Sequence, residues 1–177
     1  MKYVPGKLPV IYLKPGEMYF SEMPTIVQTV LGSCVSVTLY SPLMSVGSIC
    51  HGLLPKCRGR KDCDGTCVEG FRFVECSVQR MIEQFRMMGI YQHEIEAKVF
   101  GGADMLEANK ADIKRLTVGA QNIQMAMKVL DLAGIKLAAS DLGGEQGRKI
   151  LFYTHTGEVL LKRLKKSLRL YDIGDME

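Results

Sequence analysis

QTVLGSCVSVTLYSPLMSVGSICHGLLP, residues 28–55, decides how the chain is read. An apolar approach ends in a tight Leu31-Gly32-Ser33 turn, and Cys34 heads the segment that follows. There Val35, Val37 and Leu39 alternate with Cys34, Ser36, Thr38 and Tyr40, the period of a half-buried strand. Ser41-Pro42 marks a turn, and a second apolar run from Val46 to Cys50 delivers His51 at its end. Two adjacent strands joined by a short loop can bring Cys34 and His51 together although seventeen positions separate them. A thiol and an imidazole on rigid neighbouring elements are the minimum set for an amide hydrolase with a cysteine nucleophile. The same pair also fits a buried structural cysteine and a satisfied core histidine, because Cys is among the most buried residue types.

Cys50 is the rival nucleophile, being next to His51. Neighbouring side chains in a strand point to opposite faces, so Cys50 and His51 are expected to diverge, with Cys50 in the core. Cys34 has the better setting, since the Gly32-Ser33 turn can aim backbone N–H groups at a developing oxyanion. A free thiol, with pKa ~8.5, is only a few per cent thiolate at neutral pH, so a nearby imidazole must activate it.

A chain of 177 residues with 47% hydrophobic content suits one domain with a real core, spanning 1–177. A net charge of +4 is mild. The late basic run, Lys162, Arg163, Lys165, Lys166 and Arg169, reads as a solvated face or a docking patch for an acidic partner. It lacks the interleaved aromatics of a nucleic-acid platform, so no nucleic acid is expected. The opening MKYVPGKLPVIYLKPGEM is broken by prolines and charges, unlike a signal peptide. No apolar run approaches the ~20 residues of a membrane span. The expectation is a cytoplasmic protein without membrane insertion, its six cysteines reduced.

Residues 1–9 read as a loose segment, with short strands at Val10–Leu13 and Met18–Phe20 and an apolar run at Thr25–Leu31. Residues 56–70 form a polar, Cys-rich loop. Val74, Val78, Met81, Ile82, Phe85 and Met88 recur at helical spacing up to Gly89. A strand at His93–Phe100 leads to Gly101-Gly102, and Gly119–Ala133 reads as a second amphipathic helix. Strands at Ile135–Ser140, Ile150–Thr154 and Glu158–Leu161 follow, the last two as a hairpin across Thr156-Gly157. Residues 166–177 form a tail. The fold expected is α/β: a single-domain, layered mixed sheet or sandwich with two main helices packed on it. Met87, Met88, Met125 and Met127 are read as helix-core filler.

The blocks L-G-S-C-V at 31–35 and H-x-x-L-P at 51–55 resemble the CheD family of chemotaxis proteins. Lys98-Val99-Phe100-Gly101-Gly102-Ala103 with Met105, Val118-Gly119-Ala120-Gln121-Asn122, Gly143-Gly144, Gly147-Arg148 and Thr156-Gly157-Glu158-Val159 continue the likeness in order. The resemblance spans about residues 10–165. It implies a protein-glutamine glutaminase that deamidates methyl-accepting chemotaxis receptors on their cytoplasmic domain, needs no cofactor, and has a CheC-type phosphatase as a partner. It also implies Cys34 as nucleophile and His51 as general base and acid, ahead of His93 and His155. The orienting role falls to a Thr shortly before the Cys, and Thr29 is the candidate. Some relatives carry that Thr six positions before the Cys, whereas Thr29 is five before Cys34. Gly101-Gly102 and Gly143-Gly144 lack the spacing of phosphate-binding loops and read as tight turns near the site.

The resemblance does not account for Cys57, Cys63, Cys67 and Cys76. Four thiols can hold a tetrahedral structural Zn²⁺, but the spacing C-x5-C-x3-C-x8-C contains no C-x-x-C knuckle. Two other classes therefore stay open. One is an interaction module without catalysis that binds a phosphatase or a receptor. The other is a metal- or redox-sensing protein built on these cysteines.

Overall fold

The alternation after Cys34 forms strand β4 (Val35–Ser41), and its two faces serve two different cores. The computed structural model describes residues 8–57, 70–104 and 116–165. Ahead of β4 lie β1 (Val10–Tyr12), β2 (Met18–Ser21) and β3 (Ile26–Leu31), and after it β5 (Val46–Cys50). Helix α1 (Val74–Met87), β6 (Glu96–Gly101), α2 (Val118–Leu132), β7 (Lys136–Leu142), β8 (Arg148–Tyr153) and β9 (Val159–Arg163) complete the order. Five strands form one sheet in the order β2-β5-β4-β6-β7, and four form another in the order β1-β3-β8-β9. The architecture is mixed α/β, two sheets with two helices packed against them, as the alternating pattern predicts.

Val35, Val37 and Leu39 of β4 join Val74, Val78, Met81 and Phe85 of α1 and Ala126, Val129 and Leu130 of α2 in the helix-side core. The opposite face of the five-stranded sheet meets the four-stranded one. Between the sheets lie Leu13, Val27, Leu31, Ile49, Phe100, Ile150 and Phe152. Burying such a side chain contributes roughly 1.5–3 kcal/mol, so apolar contact holds the two layers together. Phe85, edge-on to Phe20 with ring centroids 5.4 Å apart, ties α1 to the sheet. Phe85→Ala would cost about 3–5 kcal/mol.

The helices stop where the chain chemistry says they should. Gly89 and Gly134 follow them at φ 77° and 66°, and Thr117 caps α2 by accepting the Ala120 N–H at 3.2 Å. Met87 corrects one expectation. It is 76% exposed, because position 87 falls off the 74-78-81-85 stripe and rotates outward. The polar stretch 58–69, Met105 and the tail from Lys166 lie outside the described residues. Among the described residues no helix is long and apolar enough to cross a membrane.

Candidate active site

The ladder between β4 and β5 sets the geometry. Val35 and Gly52 exchange both backbone bonds, Val35 N–H to Gly52 O at 3.0 Å and Gly52 N–H to Val35 O at 2.9 Å. Ser36 therefore faces His51, and Cys34, two positions back on the same face, is the diagonal neighbour of His51. That face looks into the space between the sheets, and Cys34 packs against the inter-sheet core. Cys50 points the other way, into the helix-side core. Burial pushes its thiol up to about 12, against smaller opposing contributions from the Val37 and Cys50 amides.

His51 is held at both backbone ends, its N–H on Glu17 O at 2.9 Å and its carbonyl accepting the Gly16 N–H at 2.8 Å. Its ring reaches across to the other sheet. Thr29 shares the inward face of β3 with Val27 and Leu31, and its Oγ1 lies 2.7 Å from His51 Nδ1. The same hydroxyl donates to the Leu13 carbonyl at 2.8 Å. A hydroxyl has one proton to give, so toward the ring it accepts, and Nδ1 carries the hydrogen. Nε2 then keeps its lone pair, and it has no hydrogen-bond partner among the described residues. Burial lowers the His51 pKa to about 4, although the Leu13 carbonyl and the Glu17 carboxylate push the other way. At neutral pH the ring is an uncharged base.

Cys34 is half-buried at the mouth of this space. Burial raises its thiol above the usual range, and its own backbone N–H opposes this. Thiol and imidazole are therefore both uncharged at neutral pH, on one face of the sheet. The backbone beside it is tightly packed. Gly102 N–H donates to Cys34 O at 2.8 Å and Ala103 N–H to Gly32 O at 2.8 Å. Gly101, at φ 110°, has no room for a side chain, since a Cβ would collide with Cys34 O.

Two buried polar residues behind this backbone escaped functional assignment at the level of sequence. Asn122 on α2 donates through Nδ2 to Leu53 O at 2.9 Å and Ser33 O at 3.1 Å. Arg148, 1% exposed, donates to Asp141 Oδ1 at 2.6 Å, Gly101 O at 2.8 Å and Gly143 O at 2.5 Å. Gly143 N–H in turn donates to Gly101 O at 2.9 Å, so the guanidinium braces both glycine turns. A sequence signal for Asn122 existed: it stands on the same buried stripe of α2 as Ala126 and Val129, where an apolar residue is the norm.

Of the remaining histidines, His93 is exposed and stacks on Tyr91, and His155 sits edge-on to Tyr153. Cys57 is half-buried at the edge of the polar stretch and Cys76 is buried on α1, while Cys63 and Cys67 lie outside the described residues. Among the described residues no three His, Cys, Asp or Glu side chains gather in a way that suits a metal ion.

A layered α/β fold that sets a cysteine and a histidine on one strand face, the histidine hydrogen-bonded to a threonine of the other sheet, defines a class of candidate amide hydrolases. Residues 53–163 match the family model described as CheD chemotactic sensory transduction. The chain is 48% identical to the probable chemoreceptor glutamine deamidase CheD 2 of Geobacter sulfurreducens, over 91% of this chain and 94% of that one. It is 37% identical to the probable chemoreceptor glutamine deamidase CheD of Maridesulfovibrio salexigens, over 89% and 94%. With the chemoreceptor glutamine deamidase CheD of Thermotoga maritima it shares 33% identity over 84% and 88%. The chain belongs to the CheD family.

Proposed function

We propose that this chain is a chemoreceptor glutamine deamidase, working in the cytoplasm on the cytoplasmic domain of a chemotaxis receptor. One observation carries the reading: the Thr29–His51 hydrogen bond leaves His51 Nε2 as a lone-pair base on the face it shares with Cys34. The names of the relatives supply the substrate class. Cys34 is the nucleophile, His51 the proton shuttle, and Thr29 holds the ring.

As Cys34 Sγ attacks the glutamine carbonyl carbon, its proton passes to Nε2 and the carbonyl π electrons move onto oxygen. The turn at Gly32 and Ser33 stabilises that oxyanion. On collapse the C–N bond breaks, Nε2–H protonates the leaving nitrogen, and ammonia departs from a thioester. Water then gives a proton to Nε2 and attacks the thioester carbon. The C–S bond breaks, sulfur recovers the proton, and a glutamate remains on the receptor. Water is the only co-reactant. Each cycle replaces a neutral amide by a carboxylate.

The test is mass spectrometry of a receptor cytoplasmic fragment before and after incubation with the protein, with ammonia release followed in parallel. Defined glutamines should become glutamates in step with the ammonia, and Cys34→Ser should abolish both. Binding of the fragment with no conversion would sink the deamidase reading in favour of a docking module.

A further inference from the structure

The turn that carries Cys34 has its carbonyls tied down one after another. Gly32 O takes the Ala103 N–H at 2.8 Å, Ser33 O takes Asn122 Nδ2 at 3.1 Å, and Cys34 O takes the Gly102 N–H at 2.8 Å. A trans peptide is planar, with its C=O and N–H pointing in opposite directions. Anchoring Gly32 O therefore turns the Ser33 N–H away from Ala103, and anchoring Ser33 O turns the Cys34 N–H away from Asn122. The third unit differs, because the Val35 N–H is used in the ladder to Gly52 O. Among the described residues no other group accepts the Ser33 or Cys34 N–H.

We infer that Asn122 is a positioning residue for the proposed deamidation: by holding the Ser33 carbonyl it keeps the Cys34 N–H turned to the reacting carbonyl, completing with the Ser33 N–H a two-amide oxyanion cradle. The inference rests on the deamidase reading and moves the second donor of that cradle from Gly32 to Cys34. Asn122 suits the task. It is fully buried, and its single Nδ2 spans Ser33 O and Leu53 O, which flank the nucleophile on both strands. Gly119, one turn earlier, lets α2 come this close, for a Cβ there would meet Gly102 O at 2.6 Å. The arrangement carries a cost, because Asn122 Oδ1 is buried with no partner among the described residues. An apolar residue on that stripe would avoid leaving the acceptor unsatisfied. The donor is what the site gains in return.

The experiment separates oxyanion stabilisation from thiol reactivity. Displacement of iodide from iodoacetamide by Cys34 places no charge on a carbonyl oxygen, whereas amide hydrolysis does. Wild type, Asn122→Ala and the near-isosteric Asn122→Leu, which offers no proton to Ser33 O, are compared on a receptor fragment and on iodoacetamide. Both variants should lose about 10²-fold in kcat while KM and the alkylation rate of Cys34 stay within about threefold. Unchanged kcat, or alkylation falling in parallel with kcat, would overturn the assignment, as would loss of the folded circular-dichroism signal in both variants. A wild type that alkylates readily but never deamidates would instead remove the deamidase reading itself.

Discussion

Thr29 Oγ1 and His51 Nδ1 lie 2.7 Å apart across the gap between two sheets, and the same hydroxyl reaches Leu13 O at 2.8 Å. Both residues are buried. The tautomer of the ring, and hence which nitrogen keeps its lone pair, depends on this one hydroxyl.

Thr29→Val keeps the shape and deletes the hydroxyl, leaving Nδ1–H and Leu13 O without it. Thermal unfolding should show a loss of about 1–3 kcal/mol, the cost of a buried group left unsatisfied. Deamidation should fall about tenfold or more as the ring loses its fixed tautomer, and Thr29→Ser should recover most of both. Equal activity in the Val and Ser variants would remove Thr29 from its orienting role.

Thiol labelling should follow the two faces of the sheet. In the folded protein at neutral pH, peptide mapping should find Cys34 alkylated and Cys50 untouched, because Cys50 is wholly buried with its thiol pushed up to about 12. His51→Ala should slow Cys34 labelling and lower deamidation by at least ~10²-fold. A mutant that labels as fast as wild type would rule out His51 as the base.

The pH behaviour has a definite sign. With a folded pKa of about 4, below its ordinary 6.5, His51 binds fewer protons in the native state than in the unfolded chain. Its neutral burial is therefore compatible with full stability above about 6.5, and stability is lost as pH falls from there toward about 4. The shift corresponds to about 3 kcal/mol across that window, and His51→Gln should flatten this part of the urea-denaturation profile. For activity, the acid limb of kcat/KM should lie near the folded His51 pKa of about 4 and the plateau should run above the ordinary thiol range. Thiolate absorbance titrating near neutrality would contradict the neutral-pair description.

Arg148→Met should be costly. It strips donors from Gly101 O and Gly143 O and leaves Asp141 with Arg163 alone, at 2.7 Å. Burial pushes Asp141 up, but the hydrogen bonds and charges of Arg163 and Arg148 outweigh it and hold its carboxyl below the usual range. That contribution is present above the unfolded carboxylate pKa and is lost as pH falls through the folded value. Chemical denaturation at neutral pH should register a loss of about 3 kcal/mol, toward the lower end for breaking a buried pair, and a shallower acid transition. Wild-type stability in the variant would refute the bracing role.

The cysteines around the polar stretch should be dispensable for the reaction. Cys57, Cys63 and Cys67 changed together to Ser should leave deamidation within about threefold of wild type, since none is needed for the proton transfers. Metal analysis of the purified protein checks the alternative: stoichiometric zinc whose loss in the triple variant abolishes activity would make these thiols a structural metal site.

Side-chain parity along a strand is a local property, and it was readable in the chain. The period-2 pattern of 34–40 assigns Cys34 and Val35 to opposite faces, and the run 46–51 does the same for Cys50 and His51. Those two facts already favour Cys34 over Cys50 as the partner of His51. The helical stripes ending at Gly89 and Gly134 were equally local, because caps and apolar spacing act within one or two turns. Met87 belongs with them: it falls off the 74-78-81-85 stripe, so spacing and not residue type decides its exposure.

What the tertiary structure decided depends on how the layers stack. Thr29 reaches His51 only because β3 belongs to the other sheet and shows its 27-29-31 face to the ring. With that inward parity, a Thr five positions before Cys34 reaches Nδ1, so its offset from the six-position spacing does not separate it from the ring. The tautomer needs Leu13 as well, and no sequence pattern links positions 13, 29 and 51. Asn122 and Arg148 stood in plain view as polar residues, but their hydrogen bonds run to backbone carbonyls of Ser33, Leu53, Gly101 and Gly143. Every residue has such a carbonyl, so the sequence carries no mark of which ones a side chain will meet. Only the packing of α2 and β8 against the turn at Cys34 selects them.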